Sequence, residues 1–135
     1  MREEDFRSRL QEASSRASFN NWLGLKVDHA REGEVELSLP WRAEFGQYSG
    51  YLHAGIVSAL IDTACGFAAS TLSARVFASQ LSVRFLRPAV AGVFIVRSIV
   101  IKPGRQQIFA AGELYASGAP GKLLAIGDTV LVPIT

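Results

Sequence analysis

Phe6, Leu10, Ala13 and Ala17 recur every three or four residues, with Arg and Glu between them. That period predicts an amphipathic surface helix over residues 3–18. Residues 19–25, with Asn20, Asn21 and Gly24, read as a turn or short helix. Val35, Leu37, Leu39 and Trp41 then alternate with Glu34, Glu36 and Ser38, the pattern of a half-buried strand ending near Pro40. Residues 42–53 form a loop. From Ala54 to Ser73 the apolar residues fall on nearly every side of a helical wheel, so this segment predicts one long helix buried most of the way round. Four strand-like runs follow, at 76–87, 93–102, 107–116 and 122–132. They are separated by Pro88, Pro103-Gly104 and Ser117-Gly118-Ala119-Pro120-Gly121, and their spacing suits an antiparallel meander. The predicted order is helix, strand, long helix, then four strands. That is an α+β arrangement in which an antiparallel sheet wraps one central helix. A helix apolar all round needs cover on every side, and a second subunit can supply what the sheet does not.

A chain of 135 residues, 49% hydrophobic and 19% charged, suits a single domain with a substantial core. Residues 1–19 are expected to be an N-terminal helix of the same domain, residues 20–135 its body. The net charge of +2 and the lack of any Lys/Arg run argue against a nucleic-acid partner. One cysteine, Cys65, excludes an intramolecular disulfide and a Cys-cluster metal site. The most apolar stretch, Ala54–Leu72, is interrupted by Asp62, so no membrane span is expected. A soluble cytoplasmic protein is the default.

The chemistry concentrates where Gln47-Tyr48-Ser49-Gly50-Tyr51-Leu52-His53-Ala54-Gly55 runs into the long helix. A lone carboxylate in so apolar a helix must be paired, protonated or facing a cavity. The residues near Asp62 on a helical wheel (Ser58, Cys65, Gly66 and Ala69) are small and leave room. The first backbone N–H groups of a helix lack internal acceptors and carry the positive end of its dipole, so a buried helix start suits a developing oxyanion. Asp62 lies roughly 13 Å along the axis from His53 at 1.5 Å per residue, too far for one helix to bring both to one bond. If both act, they come from different subunits of a two-fold dimer with shared sites.

His53-x-Gly55 followed by Asp62 within Leu60-Ile61-Asp62-Thr63-Ala64, then Phe85-Leu86-Arg87-Pro88-Ala89 and Gly127-Asp128-Thr129, resembles the hotdog-fold acyl-CoA thioesterases of the phenylacetate-pathway and 4-hydroxybenzoyl-CoA type. The resemblance covers about residues 20–133. It implies a hotdog fold and hydrolysis of an acyl- or aryl-CoA thioester. Asp62 would be general base or nucleophile, and the Ala54 N–H the oxyanion donor from the opposite subunit. Gln47 would support the carbonyl, His53 would shape the loop near the thioester, and Gly55 would allow close approach. Ala54 replaces the family's usual glycine. Ala78 stands where some members carry a water-holding Ser or Thr, for which Gln80 or Ser82 on the same strand face are expected substitutes. Arg84 and Arg87, with Lys102 and Arg105, are candidates to meet coenzyme A phosphates. The implied reaction needs no metal and no cofactor beyond the coenzyme A of the substrate, and the implied assembly is a homodimer or dimer of dimers. Two rivals share the fold: a non-hydrolytic acyl-CoA binder, favoured by Ala78, and a hydroxyacyl dehydratase using His53 with Asp62.

Overall fold

The computed structural model describes residues 1–134. Helix α1 spans Glu3–Ser15 and α2 spans Ser18–Leu23. Strands β1 (Lys26–Arg31) and β2 (Glu34–Pro40) form a hairpin, and two short 3-10 turns lead into α3 (Ala54–Ser70). Strands β3 (Val76–Phe85), β4 (Val93–Lys102), β5 (Ile108–Ala116) and β6 (Leu123–Pro133) complete the chain. All six strands join one antiparallel sheet, in the order β1-β2-β4-β5-β6-β3. The sheet packs along α3, as the α+β reading predicts. Buried Ile56, Val57, Leu60, Ile61, Ala64, Cys65, Ala68 and Ala69 of the helix meet the apolar inner face of the strands.

Two contacts hold α3 at a fixed depth. The buried Ser98 hydroxyl on β4 donates to the Ala64 carbonyl at 2.6 Å. Gly112 and Gly127 stand opposite each other on β5 and β6, and ideal Cβ atoms there would lie 3.4 and 3.0 Å from Ile61 Cγ2. Without side chains at these positions, the sheet backbone approaches the helix one residue before Asp62.

The structure corrects the expected elements and their order in three places. The N-terminal helix breaks at Arg16-Ala17, so α1 and α2 are separate, and α1 lies over β1. There the Gln11 side chain accepts the Val27 N–H at 2.8 Å, satisfying a donor on an edge strand. A sixth strand, β1, precedes the one expected. A bulge between Val27 and His29 puts Val27 and Ala30 both in the core, three residues apart, which removes the period-two signal. The last four strands are not a meander in sequence order. Only β4, β5 and β6 are; β3 crosses to the far edge and pairs with β6.

The face of α3 formed by Ser58, Ala59, Asp62, Thr63, Gly66, Phe67 and Ser70 is only half-buried. Within one chain the sheet covers one side of the helix, and none of its residues from Ile56 to Ser70 is fully exposed.

Candidate active site

His53 is the N-cap of α3, with extended dihedrals (φ −60°, ψ 134°). Its Nδ1 accepts the Gly55 N–H at 2.8 Å, which in the neutral ring leaves the proton on Nε2. A Cβ on residue 55 would lie 2.9 Å from that nitrogen, so glycine is what lets the imidazole fold over the helix start. The His53 carbonyl accepts the N–H groups of Ile56 and Val57 at 2.9 and 3.0 Å. Of the first four N–H groups of α3, that leaves the Ala54 N–H alone without an acceptor among the described residues. It carries the positive end of a 17-residue helix.

The loop before the helix is built to hold that donor. Phe45, fully buried, accepts the His53 N–H on its carbonyl at 2.9 Å. Gly46 and Leu52 form an isolated antiparallel bridge, and the Leu52 N–H donates to Ala89 O at 2.9 Å. Gln47 donates one amide hydrogen to Leu52 O at 3.2 Å, which leaves its second amide hydrogen free. The Gln47 and Ala54 residues line one cavity of about 330 Å³ with Phe85, Leu86, Arg87 and Pro88. Arg87 also donates to the Leu123 carbonyl.

Asp62 opens into a second cavity, of about 490 Å³. Its carboxylate takes part in no hydrogen bond or salt bridge among the described residues, and burial pushes its pKa up. Thr63, Gly66, Phe67 and Ser70 of α3 line the same cavity, with Phe77 and Ala78 of β3, Leu131 of β6, and Leu10, Ala13 and Asn20 from the N-terminal helices. Cys65 faces away, toward Gly112, and burial raises its thiol pKa to about 11, which makes it a core residue rather than a nucleophile.

The predicted residues therefore fall into separate groups. Gln47, His53, Ala54, Gly55 and Arg87 gather at the helix start. Asp62 lies eight residues along, about 12 Å at 1.5 Å per residue. Ser82 and Arg84 line a third cavity, of about 430 Å³, with Glu113 and Asp128. Gln80 does not share Ala78's face, contrary to the sequence reading. A bulge between Ala78 and Gln80 intervenes, so Ala78 pairs with buried Leu131 and Gln80 with its neighbour Val130. Successive residues of β6 point to opposite faces of the sheet, so Gln80 and Ser82 face away from Asp62.

Sequence reasoning passed over two contributors. Thr63 brings a hydroxyl into the Asp62 cavity; its adjacency to Asp62 was the only signal. Leu10, Ala13 and Asn20 wall the same cavity; their helical period was legible, but not what they cover.

Among the described residues, no group of three His, Cys, Asp or Glu side chains is placed to hold a metal ion, and no helix is long and apolar enough to cross a membrane.

The Thioesterase superfamily model matches residues 49–120, the stretch that runs from the loop before α3 to the turn after β5. The chain belongs to the thioesterase superfamily. Among its relatives is an esterase candidate of Saccharolobus solfataricus, 31% identical over 76% of this chain and 73% of the relative. A solved thioesterase family protein from Silicibacter pomeroyi is 32% identical, with a TM-score of 0.89 over 96% of this chain and 99% of that one. The phenylacetic acid degradation protein PaaI of Thermus thermophilus, solved as a point variant, is 27% identical with a TM-score of 0.80, over 87% and 100% of the two chains. The hotdog thioesterase fold is thus shared along nearly the whole length.

Proposed function

We propose that this protein hydrolyses an acyl-CoA thioester to free acid and coenzyme A, at sites each built from two subunits of a homodimer. The observation that carries this reading is the pairing of a lone, half-buried carboxylate with a free N–H at the start of the same helix, held about 12 Å apart. Neither half suffices alone. A two-fold axis that runs two α3 helices antiparallel sets Asp62 of one subunit beside Ala54 of the other. Edge strand β3 supports such a contact: one side of its backbone is unpaired in the sheet, and Phe77 and Phe85 on it are 51% and 54% exposed.

In that site Asp62 acts as general base. It takes a proton from water held with the Thr63 hydroxyl, and the resulting hydroxide adds to the thioester carbonyl. The carbonyl electrons move onto oxygen, where the Ala54 N–H and the free amide hydrogen of Gln47 receive the charge. Collapse expels the thiolate of coenzyme A, which takes the proton from Asp62. A base raised above the ordinary aspartate range by burial works closer to neutral pH than an exposed one. Arg87, beside Ala54 in the same cavity, offers positive charge to the anionic coenzyme A arm. No cofactor enters the scheme.

A second reading, a non-hydrolytic acyl-CoA binder on the same fold, is favoured by Ala78, which brings no hydroxyl into the Asp62 cavity. Thiol release across a series of acyl-CoAs, with wild type and Asp62→Asn, separates the two. Hydrolysis by wild type that falls at least about 100-fold in the variant fits the proposal. Acyl-CoA binding without thiol release establishes the binder.

A further inference from the structure

Arg42 stands just before the 3-10 turn Ala43–Phe45 and is half-buried. Its Nη2 donates to the Trp22 carbonyl. Its Cζ lies 4.5 Å from the centre of the Phe45 ring and 5.4 Å from that of Trp22. The two rings meet edge to face, 5.2 Å apart at 72°, and the guanidinium caps the corner between them. A planar guanidinium can lie over a ring face and still donate in its own plane. The same contact finishes α2. The last carbonyls of a helix have no donor within it. The Gly24 N–H serves those of Asn20 and Asn21, and Arg42 serves that of Trp22.

Stability alone does not account for an arginine here. Its Nε is buried without an acceptor among the described residues, and a buried donor left unpaired costs free energy. What Arg42 grips leads instead to the free N–H at the start of α3. The Arg42 carbonyl accepts the Phe45 N–H at 3.0 Å, so Phe45 is held at its backbone and at its ring. Phe45 is fully buried, and its own carbonyl accepts the His53 N–H at 2.9 Å. The next peptide group is the one whose nitrogen carries the Ala54 hydrogen.

We infer that Arg42 is a positioning residue, which fixes the direction of the Ala54 N–H through Phe45 and His53. The inference rests on the thioesterase reading above. Arg42 touches no reacting atom in that reading. A donor turned slightly from its line still tolerates the bound ground state, but it loses much of its hold on the charge that develops on the carbonyl oxygen. The signature is therefore a fall in kcat with KM nearly unchanged.

The test uses the intact protein and two coenzyme A thioethers that cannot be hydrolysed. One carries a 2-oxoalkyl arm, whose ketone oxygen stands in for the thioester carbonyl oxygen; the other carries a plain alkyl arm of the same length. Calorimetry on wild type should give the ketone at least ~10-fold tighter binding, the scale of a well-aimed donor. Arg42→Met should cut that preference to within ~3-fold, leave the plain thioether within ~3-fold of wild type, and lower kcat at least ~10-fold with KM held. Trp22→Ala opens the other side of the clamp and should repeat the pattern, while Trp22→Phe, which keeps a ring, should recover most of the preference. Trp22 is 47% exposed, so this pair keeps the test open if Arg42→Met folds poorly. Equal losses of both ligands, or a lower urea midpoint with the ketone preference intact, would make Arg42 a residue of the fold alone and overturn the inference. A wild type without ketone preference overturns it too. Wild type that prefers the ketone but releases no thiol, with the preference lost in the variants, would remove hydrolysis and keep the positioning role.

Discussion

Gly127→Ala tests how the sheet sets the depth of α3. Gly127 stands opposite Val83 on β3 and Gly112 on β5. An added Cβ would lie 2.7 Å from the Ser82 carbonyl oxygen, 3.0 Å from Ile61 Cγ2 and 3.4 Å from Ile61 Cδ1. The first contact is with backbone and cannot be relieved by a rotamer change, so β3 must shift against β6 or α3 must rise from the sheet. Overpacking of this kind costs about 1–3 kcal/mol. For a chain of this size that corresponds to a fall in Tm of roughly 3–12 °C. Gly92→Ala is the control: a methyl group added there would have nothing within 4 Å, and the unfolded chain loses freedom, so its stability should hold or rise slightly. Thermal and urea unfolding of the two variants and wild type provide the comparison. Because Ile61 precedes Asp62, thiol release should fall in Gly127→Ala and not in Gly92→Ala. Equal stability of the two variants would show that the close approach of sheet and helix is not a constraint, and the account of how Asp62 is positioned would fail with it.

Other consequences follow from the same geometry. Burial raises the Asp62 pKa, so between the ordinary aspartate value and the raised one the folded chain holds a proton that the unfolded chain has released. Stability from this group is then lost as pH rises through that window. Asp62→Asn should therefore be more stable than wild type at neutral pH, with the gap closing below the ordinary aspartate range; urea midpoints at both pH values check the sign. Gly55→Ala should evict the His53 ring from the helix cap and cost about 1 kcal/mol, whereas His53→Asn, which keeps a capping acceptor, should stay near wild type in thermal unfolding.

What was legible in the sequence is what rests on local chemistry. The cap at His53 and Gly55, the buried helix with its single acid, and the alternation of β2 each depend on residues a few positions apart. What was hidden depends on bulges and on partners distant in sequence. One extra residue near Asp28 concealed β1, and another at Ser79 turned Gln80 and Ser82 away from Asp62. The placement of β3 at the far edge follows from its pairing with β6, some fifty residues away, which no local pattern announces. Arg84 and Arg87, three residues apart, read as one basic cluster. The end of β3 at Phe85 separates them into different cavities.

The most direct test of the central claim, a site shared between two subunits, is complementation between Asp62→Asn and Ala54→Pro. Proline at the first helical position removes only the N–H in question and suits the extended backbone of His53. Each variant alone should release thiol at least about 100-fold more slowly than wild type. After unfolding and refolding together, half of the dimers formed at random are hybrids, and each hybrid holds one intact site and one doubly damaged site. The mixture should therefore recover about a quarter of wild-type activity per subunit. A mixture no more active than the separate variants, with exchange verified by a tagged subunit, would contradict the shared site.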